Sequence, residues 1–443
     1  MNDNAGTLNQ IFKLSERGTS VKTEILAGAT TFITLAYIIF VNPQILSQAG
    51  IPKDAAIAAT IIASIIATVL MAFLANYPIV VAPGMGLNAF FTYTVVLGFG
   101  LHWTVALGAV FFSGILFFIL TVTKIRYWII DAVPPSLRSA IPVGIGFFIA
   151  FIGLQNAGII VKNEATIVAL GNLGSPAALL TMFGLVLSAV LISRRVRGAL
   201  IIGILATTIL GMIVGAVPYP KGLSSIVSFS VPSLGPTFGK LNLAGALKFG
   251  LFNIIFTFTM VELFDNMGTL MGLLKKAGLL KEEGQPPELG KAFYADSIGT
   301  MASAVVGTCT VTSYIESASG IAEGGKTGLT SLTAAVLFAL ALIFAPLVGL
   351  VPGFATAPAL IIVGALMLSE IVHVGFEDFS ESFPVFLTVI GMPLTYSIAT
   401  GIGLGFIGYT LVKVFTGKFK DVHWMMYIIA VLFVINFALR TGG

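Results

Sequence analysis

The sequence predicts an all-α polytopic membrane protein built from two inverted repeats of seven transmembrane segments, about 14 in all. Composition is the first support: of 443 residues, 57% are hydrophobic and 9% are charged, whereas soluble domains carry about 25% charged residues. A mean hydropathy of +1.02 agrees with this class. The second support is a series of apolar stretches near the roughly 20 residues that a span requires. The third is a polar stretch that divides the series into two equal sets.

The polar stretch is residues 218–243, and the apolar stretches lie before and after it. Predicted spans of the first set lie near 24–48, 53–75, 80–98, 104–123, 136–160, 176–193 and 198–217. Predicted spans of the second set lie near 246–274, 290–308, 311–323, 327–350, 355–372, 383–397 and 398–416. The predicted regions are therefore an N-terminal segment (1–23), a first repeat (24–217), a linker (218–243), a second repeat (244–416) and a C-terminal segment (417–443). The last contains a further apolar stretch, 423–439, which either crosses the membrane or lies in its interface.

Basic residues predict the orientation of the chain, because cytoplasmic loops of membrane proteins are enriched in lysine and arginine. The clusters fall on one side of the predicted spans and comprise Lys13, Arg17, Lys22, Lys124, Arg126, Arg138, Arg194, Arg195, Arg197, Lys275, Lys276, Lys281 and Lys291. This places the N-terminus in the cytoplasm. The net charge of +4 is spread over loops. It therefore indicates orientation within lipid rather than a nucleic-acid partner.

The third span of each set is interrupted. In the first set, VVAPGMGLNAFF (80–91) places a proline and two glycines inside an apolar run; in the second, TVTSYIESASG (310–320) is short and polar. Interrupted spans at matching positions in two halves indicate a transporter binding site. The free backbone groups of broken helices are tolerated at membrane depth only around a cavity. We therefore expect short broken or extended segments to form the site.

Three carboxylates lie inside apolar stretches: Glu262, Asp265 and Glu316. A charge at that depth costs at least about 2.5 kcal/mol, so such residues mark functional sites by default. Glu262, Asp265 and Thr269 share roughly one helical face. A carboxylate can accept ligand N–H groups and can also hold a proton. The alternative is a structural pair satisfied by neighbouring helices.

Asn88, Phe90, Phe91 and Tyr314 complete the candidate site. An asparagine amide presents a donor beside an acceptor, which matches the edge of a nucleobase. The two phenylalanines could stack on a flat ring. The alternatives are an asparagine that caps a half-helix and phenylalanines that belong to the core. Tyr314 lies in the polar run around Glu316.

Other polar residues receive structural expectations. Asp296 is expected to be a helix contact in preference to a proton relay, and Glu24 and Glu370, near span ends, are expected to be solvated or interfacial. The segment 320–327 satisfies the phosphate-binding pattern G-x4-G-K-[ST]. Because it joins two membrane segments, we expect a tight turn instead. The histidines lack ligand-spaced partners and Cys309 is a single cysteine, so no metal or other cofactor is expected.

The chain resembles the adenine/hypoxanthine/guanine permeases, the AzgA-like branch of the nucleobase–cation symporter-2 superfamily. The resemblance covers nearly the whole chain and is carried by residues 18–46, 76–96, 262–272, 310–330 and 351–367. It implies a core and a gate domain, with substrate between the two broken spans and facing the eighth. It also implies proton-coupled transport in which the core moves against the gate.

The resemblance assigns the family's substrate contacts to Asn88, Asp265 and Glu316. Glu262 stands at a position where family members vary. Thr269 stands where the wider superfamily often has a histidine, so proton carriage would rest on Asp265 or Glu316.

The predicted function is proton-coupled uptake of purine nucleobases across a bacterial inner membrane. It involves no enzymatic activity and no cofactor beyond the coupling proton, and a homodimer is an open possibility. Adenine, hypoxanthine and guanine remain open as substrates. An anion carrier of the sulfate-permease fold would need positive charge at the site. An intramembrane enzyme would need an activated nucleophile or a metal constellation. A scaffold would not need polar residues inside broken helices.

Overall fold

The computed structural model describes residues 3–248, 252–279 and 289–440. Within these residues, nine helical stretches are long and apolar enough to cross a membrane. They are Val21–Gln48, Lys53–Ala75, Trp103–Val122, Pro135–Asn156, Pro176–Ser193, Ile254–Lys276, Gly328–Leu350, Gly353–His373 and Ile398–Phe415. Four shorter apolar helices accompany them: Met85–Gly98, Ala199–Ile213, Phe379–Thr395 and Trp424–Ala438. The chain is therefore a mostly helical, multi-pass membrane protein.

The first half contains ten helices and three strands in chain order. They are α1 (Asp3–Phe12), α2 (Val21–Leu35), α3 (Ile38–Gln48), α4 (Lys53–Leu70), β1 (Val81–Pro83), α5 (Met85–Ala89), α6 (Trp103–Val122), α7 (Ile125–Ala132), α8 (Pro135–Asn156), β2 (Ile160–Asn163), β3 (Ile167–Leu170), α9 (Pro176–Ser193) and α10 (Ala199–Ile213). Wider π-helical turns extend α4 through Met71–Ala75 and α5 through Phe90–Gly98. A short 3-10 turn, Leu223–Ser225, follows in the linker.

The second half contains ten helices and one strand. They are α11 (Leu243–Lys248), α12 (Phe252–Lys276), α13 (Leu289–Val306), β4 (Val311–Ser313), α14 (Ser317–Ala322), α15 (Gly328–Ala341), α16 (Ala345–Leu350), α17 (Gly353–Met367), α18 (Phe379–Thr395), α19 (Ile398–Phe415) and α20 (Trp424–Arg440). The 3-10 turns are Leu342–Phe344, Leu368–His373 and Phe419–Asp421.

Each of the fourteen predicted spans contains a helix of the structure, and differences occur at span ends. The span predicted at 136–160 ends at Asn156, because Gly158 adopts a left-handed backbone (φ +69°) that leads into the β2–β3 hairpin. The all-α prediction is therefore wrong for this hairpin, whereas the strands β1 and β4 fall in the third and tenth predicted spans, where short broken or extended segments were expected. Residues 249–251 of the span predicted at 246–274 lie outside the described residues, as does Lys281.

The helices pack in two groups. In the first, α15 packs on α2 and α4, α13 packs on α4 and α6, and α12 packs on α6. In the second, α8 packs on α17 and α18, α9 and α10 pack on α17, and α18 packs on α19. Small residues allow close approach: a Cβ added to Gly146 of α8 would lie 2.7 Å from the Gly364 carbonyl oxygen of α17.

One end of the second group is held by an ion cluster. The buried Lys413 of α19 pairs with Glu381 of α18 at 2.6 Å, and the Ser136 hydroxyl of α8 donates to the other Glu381 oxygen at 2.5 Å. At the exposed edge, Lys418 donates to Asp378 at 2.7 Å, and this hydrogen bond holds the pKa of the Asp378 carboxyl well below its usual range. Three helix ends are thereby tied together.

The N-terminal segment is anchored beneath the first group. Arg17 donates through Nη1 to the Asn76 carbonyl at 2.6 Å and to the Lys326 carbonyl at 2.8 Å. Phe12 and Leu14 pack with Leu329 in a small apolar cluster. The segment therefore connects the end of α4 to the start of α15.

Glu24 is buried, so the expectation that it is solvated or interfacial is wrong. Its carboxylate accepts hydrogen bonds from the backbone N–H groups of Lys326, Thr327 and Thr330. The hydroxyls of Thr327 and Thr330 donate to it as well, at 2.8 and 2.6 Å. These donors compensate the carboxylate for the water that it loses on burial.

Candidate functional site

The two broken spans meet in the buried interior of the protein. Strands β1 and β4 pair antiparallel, with Ala82 opposite Thr312. The Gly84 N–H donates to the Thr310 carbonyl at 3.0 Å, and the Tyr314 N–H donates to the Val80 carbonyl at 2.9 Å. The backbone groups that the breaks release therefore satisfy one another away from water, as membrane depth requires. Helices α5 and α14 begin beside this pairing.

A cavity of about 720 Å³ lies beside the paired strands and between the two helix groups. Its wall includes Met85 of α5, Ile145 of α8, Phe264 of α12 and Val363 of α17. These side chains offer an apolar wall for a flat ligand. Arg138, Lys276, Ser369 and Glu370 line the cavity at helix ends, which marks its mouth.

Asp265 and Glu316 both line this cavity, from α12 and from the residue before α14. The hydroxyl of Tyr37 donates to Glu316 Oε1 at 2.5 Å. Thr312 interacts with the Asp265 carboxyl group. Thr269, one turn after Asp265, also lines the cavity. The structure thus brings together two carboxylates from distant parts of the chain at one apolar cavity.

Glu262 points elsewhere. It is fully buried and accepts a hydrogen bond from the Thr300 hydroxyl of α13 at 2.6 Å. Side chains three residues apart on a helix point in directions that differ by about 60°. On α12, Glu262 therefore reaches α13, while Asp265 faces the cavity. Asp296, also fully buried on α13, receives a long hydrogen bond from the Ser313 hydroxyl at 3.4 Å.

Asn88 and the two phenylalanines are also buried behind the cavity wall. The Asn88 amide donates to Asn42 Oδ1 at 3.0 Å, which ties α5 to α3. Phe90 packs edge-on against Phe258, with ring centroids 4.8 Å apart, and Phe91 is fully buried. None of the three lines the cavity in this conformation.

Tyr314 lines the cavity, but its hydroxyl already forms a hydrogen bond within the protein. It donates to the Pro83 carbonyl of β1. This hydrogen bond fastens one broken span to the other at the cavity wall.

Sequence reasoning missed two residues. Tyr37 lines the cavity and donates to Glu316. The one sequence feature that could have indicated this role is a phenol inside an apolar span. Asn266 is buried on α12, and its Oδ1 accepts from the Ser313 N–H at 2.7 Å. Asn266 thereby accepts a backbone N–H at the edge of β4. The sequence feature that could have indicated it is a second polar side chain beside Asp265.

The end of α8 opposite the mouth is closed. The Tyr396 ring, on the turn between α18 and α19, lies 5.4 Å from Phe148 of α8 and 5.7 Å from Tyr93 of the extended α5. The Thr94 hydroxyl donates to the Tyr396 carbonyl at 2.8 Å, and the Tyr396 hydroxyl donates to Gln155. Tyr396 adopts a left-handed backbone (φ +53°), a conformation that the surrounding contacts must stabilise.

A multi-pass helical protein with a ligand-sized cavity between two helix groups, open at one end and closed at the other, has the architecture of a membrane transporter. The chain belongs to the family described as Permease family (Xan_ur_permease), whose model matches residues 22–404. It is therefore a permease rather than an enzyme, and its resemblance to the nucleobase–cation symporter-2 purine permeases is confirmed.

Similar proteins span the whole chain. A putative permease of Methanocaldococcus jannaschii is 52% identical over 98% of this chain and 99% of its own length. The adenine permease AdeP of Escherichia coli is 45% identical, covering 97% of this chain and 96% of its own. The guanine/hypoxanthine permease PbuO of Bacillus subtilis is 45% identical, covering 96% and 99%.

A solved structure shares the fold. The transmembrane domain of a cyanobacterium bicarbonate transporter, BicA, superposes with a TM-score of 0.65 over 86% of this chain and 97% of that chain, at 14% identity. At this identity the likeness concerns the fold alone.

Proposed function

We propose that the chain is a proton-coupled symporter that takes up purine nucleobases. The observation that carries the proposal is the pair Asp265 and Glu316 in one apolar cavity. A purine is flat, apolar on its faces and rich in N–H donors at its edge, and carboxylates are acceptors when ionised. Relatives named as adenine and guanine/hypoxanthine permeases, similar along nearly the whole chain, support the same substrate class.

In this proposal Asp265 and Glu316 accept N–H groups of the purine, and one of them carries the coupling proton. Thr269 and the Tyr314 ring flank the ligand. Asn88, Phe90, Phe91 and Glu262 act from behind the wall, where they hold α5 and α12 in position. A proton on one carboxylate lowers the charge that must cross the membrane, which reduces the cost of moving the loaded site. No further cofactor is part of the proposal.

We further propose an elevator-like movement of one helix group against the other. The antiparallel pairing of β1 with β4 supports two inverted repeats, since equivalent strands of inverted repeats run in opposite directions. The first packing group would be the core, which carries the site, and the second would be the gate. The basic residues at the mouth, Arg138 and Lys276, support a cytoplasmic opening and a cytoplasmic N-terminus in a bacterial inner membrane.

An anion carrier is the competing function. It would need positive charge deep in the cavity, but the deep charged groups that line it are Asp265 and Glu316, while Arg138 and Lys276 lie at the mouth. The proposal therefore expects labelled adenine uptake to be inhibited by hypoxanthine or guanine and not by bicarbonate.

The test substitutes each cavity carboxylate by its amide. Asp265→Asn and Glu316→Gln are each expected to abolish concentrative uptake of labelled adenine and hypoxanthine, because the amide cannot carry the proton and presents donors to the purine's own donors. Asp54→Asn and Glu164→Gln are matched controls at exposed positions and should keep wild-type uptake. Full accumulation by both cavity variants, at normal membrane abundance, would refute the site and its coupling role.

A further inference from the structure

Tyr37 is a cavity residue to which the proposed function gives no role. It lies at the step between α2 and α3, where the first long apolar stretch is interrupted. Its side chain is 1% exposed and forms part of the cavity wall. A phenol at this depth needs a partner for its hydroxyl. That partner is Glu316 Oε1, at 2.5 Å and 279 positions away in sequence.

The backbone holds Tyr37 firmly. Tight turns follow the end of α2, in which the Ile39 N–H donates to the Ala36 carbonyl and the Phe40 N–H donates to the Tyr37 carbonyl. Pro43 has no N–H, so the Ile39 carbonyl loses its usual helical donor. The interruption places the phenol in a buried position from which it reaches the residue before α14.

Glu316 has few other restraints. It precedes the first residue of α14, yet its side chain does not cap that helix. The neighbouring phenol, Tyr314, donates to the Pro83 carbonyl instead. The Glu316 backbone N–H also interacts with the carboxylate. Among the described residues, Tyr37 is the one side chain that donates to it.

We propose that Tyr37 is a positioning residue for the substrate: its hydroxyl fixes the plane of the Glu316 carboxylate, so that Oε2 faces the purine N–H. This inference rests on the proposed function. Without the hydroxyl, the carboxylate can turn within the cavity and must be ordered again by each ligand. Ordering the carboxylate at each binding event costs free energy, so the affinity for the purine is lower than when the carboxylate is already held in place. The same carboxylate remains available to the coupling proton, so movement of the loaded site should change little.

The inference is tested by Tyr37→Phe, which removes one oxygen and keeps the ring. We expect the KM for adenine and hypoxanthine to rise about 10-fold or more, as loss of a hydrogen bond to a charged group implies. Vmax per transporter molecule in the membrane should stay within about twofold of wild type. Calorimetry on the purified protein should show Kd raised by the same factor. Tyr427→Phe is the matched control: it removes a hydroxyl that donates to the Phe419 carbonyl outside the cavity, and should leave KM unchanged.

Two outcomes would overturn the inference. One is a wild-type KM and Kd in Tyr37→Phe; the other is a fall in Vmax with KM unchanged, which would indicate a packing role. Glu316→Gln separates this inference from the proposed function. If Glu316→Gln abolishes uptake while Tyr37→Phe keeps a wild-type KM, only the role of Tyr37 is refuted. If Glu316→Gln accumulates purine normally, the site itself is refuted.

Discussion

Asn42 illustrates how single residues hold the site together. Its Nδ2 donates to the hydroxyls of Thr60 and Thr308 at 2.8 and 3.0 Å. Its Oδ1 accepts from the Asn88 amide and, more weakly, from the Cys309 thiol. All five residues are fully buried. One side chain therefore joins α3 to α4, to α5 of the first broken span and to the loop between α13 and β4.

Replacement of Asn42 by leucine should destabilise the protein strongly. Asn42→Leu leaves several buried polar groups unsatisfied, and each such group costs about 1–3 kcal/mol. We expect a clear fall in the thermal unfolding midpoint of the detergent-solubilised protein, followed by fluorescence-detected gel filtration. Thr123→Val, an exposed polar-to-apolar substitution, should change stability by less than about 0.5 kcal/mol. An unchanged midpoint in Asn42→Leu would contradict the network.

At the scale of elements, the structure of the loop between α14 and α15 accounts for the phosphate-binding pattern in its sequence. Its glycines permit a tight turn, and Gly324 adopts a left-handed backbone (φ +98°). The N–H groups of Lys326 and Thr327 do bind an anion, but that anion is the carboxylate of Glu24. The start of α15 favours negative charge for the same reason that helix N-termini bind phosphates. The pattern therefore marks an internal anchor.

Glu24→Gln tests this anchor. The amide would turn donors toward N–H groups that need acceptors, so we expect a loss of stability of about 3 kcal/mol. Urea or thermal unfolding of the purified protein measures the change. Glu16→Gln is the control, because Glu16 pairs with Lys13 on the surface at 3.4 Å with both side chains more than half exposed, and such pairs contribute little. Equal stability of both variants would show that Glu24 does not anchor the loop.

For the whole molecule, the two ends of α8 lie in different environments. Arg138, near its start, lines the open mouth of the cavity, and Gln155, near its end, contacts the Tyr396 hydroxyl. The 17 helical steps from Arg138 to Gln155 span about 25 Å of helix. In the proposed transport cycle, a cavity open near Arg138 and packed shut near Gln155 would be the state that is accessible from one side of the membrane only.

Thiol labelling tests which side is open. The single cysteine, Cys309, is buried, so the wild type should not react with a membrane-impermeant maleimide. Ser369→Cys, at the mouth, should react in inside-out vesicles only. Ile167→Cys, at a hairpin position 81% exposed in the structure, should react in right-side-out vesicles only. The reverse pattern would refute the proposed orientation, and labelling of both from one side would refute their placement at opposite ends.

The positions of the membrane segments were predictable because apolar length and composition act locally along the chain. The breaks at 80–91 and 310–320 were equally visible, since a proline with two glycines and a dense polar run each interrupt an otherwise apolar stretch. The hairpin β2–β3 was not predicted, because its strands of four residues each are far shorter than the apolar stretches that indicate a span.

The sequence by itself determined that this protein crosses the membrane repeatedly, that two spans are broken, and that Asp265 and Glu316 are carboxylates at membrane depth. The tertiary structure alone decided which of these groups meet. It turned Glu262 toward Thr300 while Asp265 faces the cavity, and it brought Tyr37 to Glu316. The physical reason is that the side chains of a helix point outward on all sides. Only the packing of the other helices around it decides which side faces a cavity.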